Sequence, residues 1–461
     1  MVDAHVGPTL SAPSSGDSTS ILRAFLATST PRGVKRLIGS FSVSSGLMVP
    51  AGVYLDASQA TITQTASNAV TLTLGSGSTL FGGQFIGKGT DYVAGSSPLA
   101  MGVSVAADNV TISQTRFTNF SGAAIRLSGT AGVRIVGVTI VGVGPGISSG
   151  VGSPGFGILL SGGNSYVGIN DVDISGTSQG IIGSLTDTHV MIDGSHIHDI
   201  RGQHGVYLQN GTGVNIAGLD LRSIPLNGLK IQLSAASAGD SVATSITGVT
   251  ADSCGDVAVS LNNTASDLRS AKKFRAVTVS NVTATNCGRG LYLGSVRGGT
   301  ISNVAVYNCM LDGLTILDSH DVEGTALVVD TCGRVGLRFS STTGSSQDRI
   351  RLSGVRIHNA GNKNVARNIY GVYVAQGSNI TLDGLVVTAT NRFMQYGLFL
   401  ASTVARDQRT FALRNADLSG DTGSSARFQN PRTTVKDWGN NRMTGAPTFK
   451  PTGVSAVVAV P

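Results

Sequence analysis

Gly205-Val206-Tyr207-Leu208 is followed 23 residues later by Gly228-Leu229-Lys230-Ile231, a glycine and then apolar residues alternating with others. The phrase stands earlier as Gly157-Ile158-Leu159-Leu160 and Gly180-Ile181-Ile182. It returns as Gly290-Leu291-Tyr292-Leu293, Gly313-Leu314-Thr315-Ile316, Gly336-Leu337-Arg338-Phe339, Gly371-Val372-Tyr373-Val374 and Gly397-Leu398-Phe399-Leu400. Most steps are 23 to 26 residues, and the 62 residues from Gly228 to Gly290 fit two turns with an insertion. A sustained period of this length marks a solenoid, in which each repeat buries its apolar face only against its neighbours.

Two further phrases lie between the glycines. One is Asn109-Val110-Thr111-Ile112, Gly213-Val214-Asn215-Ile216, Gly299-Thr300-Ile301 and Asn379-Ile380-Thr381-Leu382; the other is Val172-Asp173-Ile174, Leu219-Asp220-Leu221, Val249-Thr250-Ala251, Val282-Thr283-Ala284 and Val304-Ala305-Val306. Three short alternating strands per turn make a three-sided coil with every second side chain inside. Glycine and asparagine supply the corners. The spacing therefore predicts an all-β chain, a single-stranded right-handed parallel β-helix. Cys254, Cys287, Cys309 and Cys332 hold one phase of the repeat, shared by Ile200 and Ile224. Stacked coils lie about 4.8 Å apart. A straight ladder at that pitch favours neither disulfides nor a convergent zinc site, so free, buried thiols are expected.

The ends differ from the middle. Thr19–Thr28, TSILRAFLAT, has a helical pattern and precedes Val49-Pro50-Ala51-Gly52-Val53-Tyr54-Leu55, where the coils begin. The division expected is an N-terminal segment with a cap helix over 1–44, a β-helix over 45–401, and a C-terminal cap or oligomerisation segment over 402–461. The last contains Trp438, the only tryptophan.

Charged residues make up 13% of the chain, and Glu323 is its single glutamate. Any carboxylate pair must therefore be built from aspartate. The net charge of +7 suits an anionic partner such as an acidic polysaccharide, although glutamate scarcity alone also yields a positive excess. No Lys/Arg run interleaved with aromatics points to nucleic acid. Met1–Pro13 lacks the basic start and apolar run of a signal peptide, and no apolar run is long enough to insert in a membrane.

The cap helix, the Val49–Leu55 entry and the coil phrases resemble the pectate-lyase-like β-helix superfamily over roughly Thr19 to Ala401. Within it the chain looks most like a phage tailspike or related virion spike. That resemblance implies a homotrimer at the virion or in the extracellular space, other virion proteins as contacts, and a bacterial surface polysaccharide that is bound and degraded by lyase or hydrolase chemistry. It equally admits a non-catalytic polysaccharide-binding or structural spike, or a secreted bacterial polysaccharide lyase. Gln203-His204-Gly205 matches the Gly-His-Gly element of the superfamily's polygalacturonases, and Lys230-Ile231-Gln232 holds the place of their Arg-Ile-Lys. Gln179-Gly180 and Ser153-Pro154-Gly155 stand where those enzymes carry acids, which speaks against carboxylate hydrolysis at that place.

Two outward patches are candidate sites. On the glycine-phrase sheet, His204, Tyr207 and Lys230 could supply the base, the acid and the cation of a β-elimination. Gln209, Gln232, Tyr292, Arg338 and Tyr373 would extend that face as a sugar-binding groove, because aromatic faces pack on sugar rings and Arg pairs with carboxylates. The alternative site is on the third sheet: Asp173, His196 and Asp220 in one column, and Ser175, His198, Arg222 and Asp252 in the next. Those groups suit acid–base work or ion binding, or are cross-strand pairs of little energetic weight. No cofactor is expected, and neither site is assigned a metal.

Overall fold

The computed structural model of the chain describes residues 7–28, 33–89, 100–144, 155–184, 186–209, 212–233, 239–263, 272–341, 347–361, 369–390, 393–401, 409–420, 424–428, 433–437, 441–443, 448–449 and 457–459. Trp438 and Ser153-Pro154 lie outside these residues. The chain forms two compact units, Met1–Leu226 and Asn227–Pro461.

In the first unit the expected helix, α1 (Thr19–Ala27), follows a short strand at Thr9–Ser11. Leu22 and Leu26, four residues apart on one face, are buried against the strands Val34–Val43 and Leu47–Val49. The helix ends on an internal cation. Lys35 is fully buried, and its Nζ donates to the carbonyls of Phe25 at 2.6 Å, Leu26 at 2.7 Å and Thr28 at 2.7 Å. Those carbonyls have no partner within the helix, and a cation is favoured at that end. At the other end, Asp17 accepts from the Thr19 amide at 3.0 Å and from the Ser44 hydroxyl at 2.6 Å, which ties α1 to the first coil.

Beyond the helix the unit is a stack of three-sided coils. The glycine-phrase strands Met101–Val105, Ala123–Leu127, Phe156–Leu160, Gln179–Gly183 and Val206–Gln209 pair in parallel without slips. The second side runs through Thr111–Ser113, Arg134–Val136, Ser165–Asn170, Thr188–Asp193 and Asn215–Ala217. The third runs through Arg116–Thr118, Thr139–Val141, Asp173–Ser175, His196–His198 and Asp220–Ile224. Inward positions are Val, Ile, Leu and Phe at near-zero exposure. Corners recur every five residues as left-handed backbone, for example Tyr166, Asp171 and Gly176, then His189, Gly194 and Asp199.

In the second unit the second and third sides fuse. Ser241–Cys254, Phe274–Thr285, Val296–Cys309, His320–Cys332 and Asp348–Ala360 each run as one long strand bent at left-handed residues. Asparagine at these bends tolerates the conformation and pairs with the coil above: Asn303 Nδ2 donates to Asn281 Oδ1 at 3.1 Å, and Asn308 Nδ2 to Asn286 Oδ1 at 2.6 Å. Ala258 holds the glycine place between Gly228 and Gly290, as the 62-residue gap requires. The four cysteines are buried and form no disulfide, with Cys309 directly beside Cys332. Burial pushes the Cys332 thiol up to about 12.

The coils do not stop at Ala401. Arg409–Arg414, Ser424–Phe428, Thr433–Asp437 and Val457–Ala459 continue the parallel ladders where the sequence suggests a separate segment. The reason is local. Leu398 pairs with Ala426, so Ser425 stands where earlier coils carry glycine, and the phrase vanishes while the pairing persists.

Candidate functional site

A cleft of about 390 Å³ opens on the glycine-phrase face of the second unit. Register explains it. Lys230, Ser260, Tyr292, Thr315, Arg338 and Tyr373 stack as one outward column on successive coils. Ser260 and Thr315 are short and nearly buried, so they floor the spaces between the long side chains of Lys230, Tyr292 and Arg338. Of the residues expected on this face, Lys230, Tyr292 and Arg338 line the cleft. Gln232 pairs with the lining residue Asn262. Tyr373 extends the column, with the Arg338 guanidinium 5.5 Å from its ring centre. Phe399 follows Tyr373 in the same column and is buried within a ring stack that includes Tyr370 and Tyr373.

The edge of the cleft carries two carboxylates that sequence reasoning misses. Asp256 Oδ1 is 2.5 Å from Arg289 Nη1, and its Oδ2 accepts from Asn227 at 3.0 Å. Asp312, 3% exposed, pairs through Oδ2 with Arg334 at 3.0 Å and with Arg338 at 3.3 Å. Its Oδ1 has no hydrogen-bond donor among the described residues. Asp312 precedes Gly313 as His204 precedes Gly205, so carrying the His204 position along every coil would have found it. With Lys230, Arg289, Arg334 and Arg338 against Asp256 and Asp312, the lining is net cationic.

The protonation states diverge. Burial lowers the pKa of Lys230, partly opposed by Asp256. Burial, with Asp318 next, holds the Tyr292 hydroxyl up to about 12. The cleft thus pairs an amine that gives up its proton more readily with a phenol that keeps its own.

His204 and Tyr207 belong to the first unit. Their rings are 5.0 Å apart, and Gln209 Nε2 donates to the Tyr207 hydroxyl at 2.9 Å. Tyr207 and Gln209 reach the surface, but His204 does not: the position before the glycine faces into the coil edge and leaves it 7% exposed. The third-sheet patch of the first unit has the expected columns, Asp173 beside His196 beside Asp220, and Ser175 beside His198 beside Arg222. Asp252 lies in the second unit, where Asn286 donates to it at 2.9 Å.

A second cleft, about 770 Å³, lies on the second side of the first unit, where Gly168 leaves a notch between Arg134 and Met191. Tyr166, 65% exposed, stacks on His189 at 4.6 Å along its rim.

The right handed beta helix region family matches residues 96–238 and 231–407, and the chain belongs to that family. No curated protein matches it in sequence. Solved structures similar to it include the Dettilon tailspike protein, at 13% identity and TM-score 0.47, covering 81% of this chain and 66% of that one. A GH87 alpha-1,3-glucanase from Streptomyces thermodiastaticus is 14% identical over 94% of this chain and 67% of its own, with TM-score 0.47. An exopolygalacturonase from Thermotoga maritima is 11% identical over 74% of this chain and 88% of its own, with TM-score 0.46. The family match, rather than these likenesses, fixes the assignment. No helix among the described residues is long and apolar enough to cross a membrane.

Proposed function

We propose that the chain binds an anionic polysaccharide in the cleft of its second unit and cleaves it by β-elimination. The observation that carries this reading is the single column holding Lys230, Tyr292 and Arg338 over a net cationic lining. Lys230 takes the proton α to a uronate carboxylate, whose charge Arg338 and Arg334 offset. The carbon–carbon double bond forms as the bond to the leaving oxygen breaks, and Tyr292 protonates that oxygen. Asp312 Oδ1 is an acceptor for a sugar hydroxyl. Hydrolysis by a carboxylate pair is disfavoured, because Asp256 and Asp312 are both held in ion pairs with arginine. The buried His204 and the neighbouring Tyr207 of the first unit remain proposed catalytic residues, to be tested separately by His204→Ala and Tyr207→Phe.

The test is incubation with a uronate-containing capsular polysaccharide, following reducing ends and the ultraviolet absorbance of the unsaturated product. A rise in both supports elimination. Reducing ends alone would replace it with hydrolysis. Saturable binding with neither signal supports a second reading, a non-catalytic sugar-binding spike, which the neutralised aspartates favour. Absence of binding overturns both. In either reading the chain is proposed to act as a trimeric virion or extracellular spike, possessing other virion proteins as contacts; sedimentation as a stable monomer overturns the trimer.

A further inference from the structure

We propose that Asp173, His196 and His198, on the third side of the first unit, form a binding site for a divalent transition ion of the zinc class. One ligand atom from each side chain lies within 4.8 Å of the other two. His196 and His198 are two residues apart on one strand, so both point outward, and Asp173 is the direct partner of His196 on the neighbouring coil. Asp173 Oδ1 is 3.2 Å from His198 Nε2 and 3.9 Å from His196 Nδ1. Ligand atoms about 2.1 Å from a tetrahedral ion stand about 3.4 Å apart, between those two values.

A second observation points the same way. Asp173 Oδ1 is buried and has no hydrogen-bond donor among the described residues. Its nearest imidazole nitrogen is close enough for a hydrogen bond without being aligned for one. An orphaned carboxylate oxygen between two imidazoles suits a cation. The outer groups fit as well. His198 Nδ1 is held by Asp199 Oδ2 at 2.7 Å, and His196 Nε2 lies 3.2 Å from Asp220 Oδ2. Asp220 is itself gripped by Arg222 at 2.8 Å. His198 thus has one nitrogen bonded to an outer carboxylate and the other toward Asp173 Oδ1, the arrangement by which a carboxylate orients a metal-binding histidine. His196 Nε2 is near Asp220 without a hydrogen bond to it. Three protein ligands leave a fourth position open to solvent. This site does not depend on the polysaccharide reading.

The experiment uses the untagged full chain, stripped with chelator and titrated with Co²⁺ alone, read by visible absorption and calorimetry. The expected result is one equivalent bound with tetrahedral d–d bands and no thiolate charge-transfer bands. His198→Ala and Asp173→Asn should each abolish that equivalent while circular dichroism is unchanged. Asp199→Asn should weaken it by about 10- to 100-fold, since it only orients His198. No saturable binding, binding unchanged in His198→Ala and Asp173→Asn, or dominant thiolate bands would each overturn the site.

Discussion

Tyr166 and His189 occupy successive corners at φ of 53°, where a side chain with a Cβ is strained. The equivalent corners of neighbouring coils are Asn109, Gly132 and Gly213. Tyr166→Asn should therefore stabilise the protein by about 0.5–1 kcal/mol, measured as a higher denaturant midpoint. A lower midpoint would mean that the stack on His189 outweighs the strain. Strain retained on an exposed aromatic is a signature of use rather than of folding. At Lys230 the expectation is catalytic. Lys230→Ala should lower kcat by about 10²- to 10⁴-fold with the fold intact. Because burial lowers the Lys230 pKa, the neutral amine appears at lower pH than in a free lysine. The rate should rise with pH through that value and fall only as Tyr292 ionises near 12. A rate that does not rise as the Lys230 amine loses its proton would remove Lys230 from the role of base. Lys230, Tyr292 and Arg338 were legible because the phrase fixes their offset. Asp312 was not, because the position before the glycine carries no single residue type along the coils.

Helix α1 was legible from its apolar spacing, but what closes it was not. The carbonyls that Lys35 binds lie seven to ten residues before it, and no periodicity encodes a chain folding back at that distance. Lys35→Met keeps most of the volume and removes the donors. It should cost about 1–3 kcal/mol, because the buried Leu26 carbonyl then loses its donor, while the Phe25 carbonyl keeps the Thr28 hydroxyl. Thermal unfolding would measure this, and a loss below about 0.5 kcal/mol would mean that water replaces the ammonium. The long bent strands of the second unit were legible only as separate phrases, since the left-handed asparagines that join them also look like turns.

Across each unit, the period carried the fold. Twenty-three residues separate Leu314 from its partner Leu337, and the inward set recurs at that step. Deleting residues 313–335 should therefore leave a folded chain in which Tyr292 adjoins Arg338, with far-ultraviolet dichroism preserved. Deleting one residue more would turn the following inward set outward and should abolish folding. If both deletions fold alike, register is not what specifies the stack. Function was less legible for a physical reason: a repeating scaffold accepts almost any outward residue, so the period says nothing about chemistry.

Cys254, Cys287, Cys309 and Cys332 sit in consecutive coils, each at 0–1% exposure. A thiol reagent reaches such a sulfur only while its own coil is open. Four variants, each keeping one cysteine, therefore form a row of stopwatches along the second unit. Their labelling rates at fixed reagent read the opening free energy coil by coil. Equal rates mean that these coils open together, and graded rates reveal the end from which the stack unzips.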